Sequence, residues 1–221
     1  MPVFSNRIDA GQRLADALKT HTFADGLVLA IPRGGVVVGF EVAEALGFPL
    51  DVIIPRKIGA PGNPELAIGA MTEDGIAILD ENLMSYLNVP DDYVERESET
   101  QKLEIQRRMQ LYRQNEPYPN LKGRDVIVVD DGIATGATMK AALASVKNKG
   151  AKSVTAAVPV GPPSTIEELK RQADLVVCLF MPESFYAIGE FYDDFGQTSD
   201  YEVMDLLRKN RQNHVLKPEQ R

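Results

Sequence analysis

The sequence predicts an α/β fold, with a mostly parallel central sheet flanked by helices. Three observations carry that expectation. First, the apolar run Val126-Ile127-Val128-Val129 reads as a strand covered on both faces, as in parallel sheets. It leads through Asp130-Asp131 and a small-residue loop into helix-forming sequence, Met139 to Lys149, closed by Gly150. Second, another strand–glycine turn–helix unit stands at Leu27 to Ile31, Pro32-Arg33-Gly34-Gly35 and Val36 to Leu46. Third, two more apolar strands, Ser153 to Pro159 and Leu175 to Phe180, alternate with helical sequence, the order that builds parallel crossovers.

The remaining elements follow in chain order. Ala10, Leu14, Ala17 and Leu18 recur at helical spacing and predict an N-terminal helix over Asp9 to Lys19. Asp51 to Pro55 is a third strand, ending in Arg56-Lys57. Ile58 to Glu65 is rich in Gly and Pro and reads as a mobile loop. Leu66 to Thr72 and Gly75 to Leu79 form a hairpin with its turn at Glu73-Asp74-Gly75. Residues 80–118 then interrupt the strand–helix alternation with a short helix, Glu81 to Leu87, and a long one, Asp91 to Arg113. Pro90 followed by two acids marks the start of the long helix. This segment reads as an insertion with three open destinations: packing on the core, covering a site, or joining subunits in a homodimer. Ser164 is placed to cap a helix over Thr165 to Gln172. Met181 to Phe195 gathers five aromatics in a loop-like stretch, and the polar tail from Arg208 to Arg221 is expected to fray.

A chain of 221 residues with 44% hydrophobic and 25% charged content is long enough for one substantial core, here taken as a single domain over 1–221. A net charge of −8 argues against nucleic-acid partners, which require basic footprints. With one cysteine, Cys178, in an apolar run, no disulfide can form and burial as a packing residue is expected. His21 and His214 are too far apart in sequence, in polar segments, to predict a histidine triad or zinc site. No apolar run is long enough for a signal core or a bilayer span, so no membrane contact and a cytoplasmic location are expected.

Chemistry concentrates at the central unit. A helix N-terminus offers backbone N–H groups to a phosphate, Gly136 admits close approach, and Thr135 and Thr138 add hydroxyl donors. Asp130 and Asp131 would repel that phosphate; they suit sugar hydroxyls or water on a divalent cation instead. The implied ligand is a sugar phosphate. At these residues, Asp130 to Thr138 with their apolar lead-in, the chain resembles the motif of type I phosphoribosyltransferases that binds phosphoribosyl pyrophosphate (PRPP). By that resemblance Gly132, Ala134, Thr135, Gly136, Ala137 and Thr138 hold the 5-phosphate, while Asp130 and Asp131 meet the ribose hydroxyls. Pro32-Arg33-Gly34-Gly35 looks like the pyrophosphate loop of the same family, which implies an unusual or cis bond between Pro32 and Arg33.

The resemblance further implies transfer of phosphoribosyl from PRPP to a nitrogen of a nucleobase-like acceptor, with pyrophosphate released. Mg²⁺ is the implied cofactor, carried largely by substrate oxygens and reached by Asp130 and Asp131 through water. In that reaction Arg56 and Lys57 would offset charge on the departing pyrophosphate, beneath the flexible loop that the resemblance implies. The aromatic segment, about 180–200, is similar to the hood of purine phosphoribosyltransferases, where Phe185 or Tyr186 would stack on the base. The base stays open, since Ala134 is similar to the adenine-type motif while the hood is nearer the 6-oxopurine type. Glu65, Glu183 and Asp193 are the candidates for any missing acid/base group. A second function class is a non-catalytic PRPP- or nucleotide-binding regulator of the same fold. A phosphohydrolase or kinase is disfavoured, because neither a Gly-x4-Gly-Lys-Ser/Thr nor a Gly-x-Ser-x-Gly pattern occurs.

Overall fold

The computed structural model describes residues 2–75, 77–114 and 116–215, apart from the side chains of Glu65 and Val215. In chain order its elements are α1 (Arg7–Leu18), β1 (Gly26–Ala30), α2 (Gly34–Leu46), β2 (Leu50–Val52), β3 (Arg56–Ala60), β4 (Asn63–Met71), β5 (Ala77–Leu79), α3 (Glu81–Tyr86), α4 (Asp91–Arg113), β6 (Asp125–Val129), α5 (Ala137–Asn148), β7 (Ser153–Val160), α6 (Pro163–Leu169), β8 (Leu175–Phe180), a 3-10 turn (Ile188–Phe191) and α7 (Asp200–Val215). Five strands pair in parallel in the order β2-β1-β6-β7-β8, and β3-β4-β5 form a separate antiparallel sheet.

The apolar runs are explained by burial on both faces. Val28, Ala30, Ile127 and Val129 share a core with residues of α1, α2 and α7, whereas Leu27, Leu29, Val126 and Val128 pack with α5 and α6. Successive side chains point to opposite faces, so a strand with two covered faces has no polar alternation. The strand order reverses between β1 and β6, whose following helices lead to opposite sides of the sheet. Their C-terminal loops therefore part there and leave a crevice, the place where open α/β sheets bind ligands.

Four expectations are corrected. The stretch expected as a mobile loop, Ile58 to Glu65, is mostly strand: Ile58 to Ala60 belong to β3 and Asn63 to Glu65 to β4, joined by a turn at Pro61-Gly62, with Arg56 opposite Met71 and Ile58 opposite Gly69. Ile58, Ala60 and Ile68 are buried in the core, and a fully buried isoleucine contributes about 1.5–3 kcal/mol, enough to hold a strand despite its Gly and Pro neighbours. Ser164 caps nothing, because α6 starts at Pro163, two residues before the expected Thr165, with Pro162 at its N-cap and no side-chain cap bond. The tail does not fray at Arg208: α7 runs to Val215, with Asn210 buried, accepting from Leu50 N and donating to Glu44. Residues 216–221 of that expectation lie outside the described residues. Cys178 is half-buried rather than fully packed, and burial pushes its thiol up to about 11. Among the described residues no helix is long and apolar enough to cross a membrane.

The inserted segment has a destination. Ile105 and Tyr112 anchor α4 in the core, and Tyr93 OH donates to Gly59 O at 3.0 Å, tying α4 to β3. The long helix thus stands beside the crevice between β1 and β6.

Candidate functional site

Above the parting strands lies a cavity of about 480 Å³. Its floor comes from the two loops at the crevice: Ile31, Pro32, Arg33 and Gly34 after β1, and Asp130, Asp131 and Thr138 after β6. The peptide bond between Pro32 and Arg33 is cis, as the loop pattern implied. The far wall is Pro55, Arg56, Lys57 and Gly59 on the β3 side, with Glu97, Gln101 and Arg108 of α4. Loop closeness is set by glycine. A methyl at Gly34 would lie 1.9 Å from Asp131 Oδ2, and one at Gly35 would lie 2.9 Å from Asp130 Cα. Gly34→Ala is expected to destabilise the protein by about 1–3 kcal/mol through this overlap. An unchanged urea midpoint would mean that the loop yields freely.

The two aspartates behave differently. Asp131 is buried and accepts from Arg7 Nε at 2.7 Å, while Arg7 also donates to Gly196 O and lies 3.8 Å over the Phe195 ring. Tyr192 OH donates to Asp131 O, and burial pushes that phenol well up. Asp130 faces the cavity half-buried, its Oδ1 accepting from Asp131 N at 2.9 Å. Burial first, and the adjacent Asp131 carboxylate second, push the Asp130 carboxyl well above the usual range. A ligand that brings hydroxyl donors or a cation to Asp130 favours its charged form. Arg7 was missed from sequence, since an arginine opening an amphipathic helix carries no motif.

The phosphate-type loop is built as expected in part. Gly136 caps α5 with φ +74°, a left-handed conformation that glycine adopts without strain, and a methyl there would meet Thr165 Cγ2 at 2.7 Å. The first turn of α5 leaves N–H groups without intrahelical partners. Ala134 and Thr135 are exposed, with Ala134 O accepting from Thr165 Oγ1 at 2.7 Å. Thr138 lines the main cavity, whereas Thr135 and Ala137 line a neighbouring cavity of about 620 Å³; Lys57 lies on both.

The cations are held from several sides. Arg33 lies 3.8 Å from Asp200, which also accepts from Tyr112 OH. Arg56 donates Nε to Gln101 Oε1 at 2.8 Å; its guanidinium pKa is lowered, first by desolvation and then by Arg108. The structure does not bring the hood aromatics here. Phe185 packs on Phe191 with ring centroids 5.3 Å apart, and Tyr186 is 86% exposed. The apolar face of the 3-10 turn draws Phe185 into a small cluster with Phe4, Phe191 and Tyr192, so Phe195 is the hood aromatic at the opening beside Arg33. Gly132 is covered by that turn: a methyl there would lie 2.6 Å from Ile188 Cγ2. Glu183 and Asp193 are exposed and line neither of the two cavities, and the Glu65 side chain lies outside the described residues. The described residues contain no cluster of three or more His, Cys, Asp or Glu able to hold a metal.

Comparison with known proteins bears on this geometry. Residues 6–195 match the family model described as the phosphoribosyl transferase domain. Relatives in two strains of Mycobacterium tuberculosis, provisionally named as phosphoribosyl transferases, are 43% identical over 207 residues, 94% of this chain and 47% of theirs. The chain thus spans about half the length of these curated relatives. A ribose-phosphate pyrophosphokinase of Saccharolobus solfataricus is 39% identical over 71 residues, 32% of this chain and 22% of that protein. The crystal structure of TT1426 from Thermus thermophilus is 45% identical, with a TM-score of 0.82, covering 95% of this chain and 99% of that one.

Proposed function

Because the chain belongs to the phosphoribosyl transferase domain family, we propose that it transfers the 5-phosphoribosyl group of PRPP to a nitrogen of a nucleobase or related acceptor. One observation carries this reading. The Arg33-Gly34 loop, Arg56, Lys57, Asp130, Asp131 and Thr138 meet in a single cavity, the two acids on its floor beside Arg33 and the other cations on the wall of β3. A ribose hydroxyl face fits Asp130, and a pyrophosphate fits the cations.

In the proposed reaction the bond from the anomeric carbon to the pyrophosphate oxygen breaks, and its electron pair leaves with pyrophosphate. The acceptor nitrogen supplies the electron pair of the new bond and then gives up its proton to water or to the released pyrophosphate. The protein contributes mainly position and charge. Asp130 accepts from the ribose hydroxyls and orients the sugar; Arg33, Arg56 and Lys57 stabilise the charge gathering on the leaving oxygen. The wall of β3 and α4 over the cavity limits the water that would otherwise capture a ribosyl cation. The donor set suits a hard cation shared with the ligand, because Asp130 alone of the pair is not committed to an arginine. Mg²⁺ held there through phosphate oxygens and water would offset the ligand's charge.

A second reading, a PRPP- or nucleotide-binding regulator without turnover, draws on the hood. Phe185 is packed inward and Ile188 covers Gly132, which leaves Phe195, whose ring already lies under the Arg7 guanidinium, as the hood aromatic beside the floor. One experiment separates the two: pyrophosphate release from PRPP and Mg²⁺ is measured against a panel of nucleobases and related nitrogen acceptors. Release with one acceptor is the expected result and names the substrate. PRPP binding without release against the whole panel supports the regulator.

A further inference from the structure

Helix α4 lies outside the motifs that carry the family likeness, yet one of its faces belongs to the cavity. Glu97, Gln101 and Arg108 recur at spacings of four and seven, which places them on one stripe of the helix. All three line the same cavity as Asp130. Gln101 is fixed at both ends of its amide: Oε1 accepts from Arg56 Nε at 2.8 Å, and Nε2 donates to Glu97 Oε1 at 2.6 Å. The direct hydrogen-bond partner of the Arg56 guanidinium is thus an amide rather than a carboxylate, with Glu104 and Glu97 acting on it only through longer-range charge. A partly desolvated guanidinium whose partner is a neutral amide keeps its charge free for an incoming anion.

Arg108 completes the arrangement. It donates Nε to Glu104 Oε1 at 2.7 Å, and Glu104 also takes two bonds from Arg107. These bonds, Arg107 first, hold the Glu104 carboxyl down to about 2, so the tether stays charged throughout the working pH range. With Nε engaged, the outer N–H groups of Arg108 remain for the cavity. Three guanidinium groups from three separate elements, Arg33, Arg56 and Arg108, therefore surround one volume together with Lys57.

We propose that α4 is part of the binding machinery: Arg108 is a further contact for the doubly phosphorylated end of the ligand, and Gln101 is a positioning residue that aims Arg56 without neutralising it. This rests on the PRPP reading above and assigns the pyrophosphate end to α4. The test is calorimetric titration of the full chain with inorganic pyrophosphate in magnesium buffer, and separately with ribose 5-phosphate. Arg108→Gln is expected to weaken pyrophosphate binding about tenfold and leave ribose 5-phosphate within about twofold. Gln101→Glu keeps the shape and the acceptor but gives Arg56 a counter-charge, and is expected to weaken pyrophosphate about fivefold with ribose 5-phosphate again unchanged. A purely structural role for either residue would move both ligands together. If the parent chain binds both ligands and the variants match it, the role of α4 is overturned while the transferase reading stands. If the parent chain binds neither, that reading falls and takes this one with it.

Discussion

Arg113→Met is expected to lower stability by about 3–5 kcal/mol, the cost of leaving a buried charge without its partner. Arg113 is 3% exposed and donates Nε to Asp51 Oδ1 at 3.1 Å and a terminal nitrogen to Val52 O at 2.7 Å. Its guanidinium also lies 4.1 Å over the Tyr118 ring. Methionine keeps much of the volume and none of the bonds. An exposed pair such as Arg96–Asp92, within one turn of the same helix, should matter far less, about 0.5 kcal/mol. The pH dependence has a definite sign. Burial raises the Asp51 carboxyl even though Arg113 opposes it, so in the variant the folded value moves higher still. Between the ordinary carboxylate value and that raised one, the native chain holds a proton that the unfolded chain has lost. Stability therefore falls as pH rises through that window. The deficit of Arg113→Met should be smaller at pH 5 than at pH 8 in urea unfolding. A loss under about 1 kcal/mol, or one equal at both pH values, would show that Asp51 relaxes to solvent when its partner is gone.

The parallel sheet was legible because its signal is local. Val126 to Val129 and Leu27 to Leu29 must be apolar at every position to be covered twice. The Pro, Gly and acid punctuation after the runs, rather than the runs alone, separates them from Val36-Val37-Val38 inside α2. The bounds of α4 were legible for a similar reason: Pro90, two first-turn acids and a terminal arginine mark Asp91–Arg113 within the helix itself. Its destination was not. Dense mixed charge hides which stripe is inward, and only the fold shows that Gln101 and Arg108 belong to a cavity while Leu103 is 66% exposed. The β3 and β4 strands were concealed by composition. Gly59, Pro61, Gly62 and Pro64 suggest a loop, but the bulged register between Ile58 and Ala60 accommodates them while Ile58 stays buried.

Half of the candidate site was legible for the same local reason. Asp130, Asp131, Thr138, Arg33 and Gly34 belong to two contiguous motifs, and the strand reversal between β1 and β6 brings those motifs together. Arg7 and Arg108 reach the site from elements distant in sequence, so their charge carries no signature beyond that of a solvated helix face. Phe185 and Tyr186 failed in the opposite way. Their aromatic pattern was visible, but burial of the 3-10 turn decides where the rings go, and that depends on Phe4 nearly two hundred residues earlier.

The double replacement Arg56→Ala with Lys57→Ala is expected to reduce turnover by about 100- to 1,000-fold, the scale of removing preorganised donors from a developing anion. Affinity for PRPP should fall less, because Arg33 and Arg108 remain on the same cavity in the ground state. The asymmetry has a physical origin. In the proposed transfer, bond cleavage would add charge at the bridging oxygen that the bound substrate does not yet carry. The Arg56 guanidinium is partly desolvated and its hydrogen-bond partner among the described residues is a neutral amide, so it can answer that change without first breaking a direct ion pair. Steady-state kinetics with the acceptor found in the panel, beside direct PRPP titration, measures both quantities. A fall in kcat that exceeds the fall in affinity locates the two cations at the transition state. Equal losses would mean that they only hold the substrate, and the rate would then have to come from Arg33 and the sugar-binding end.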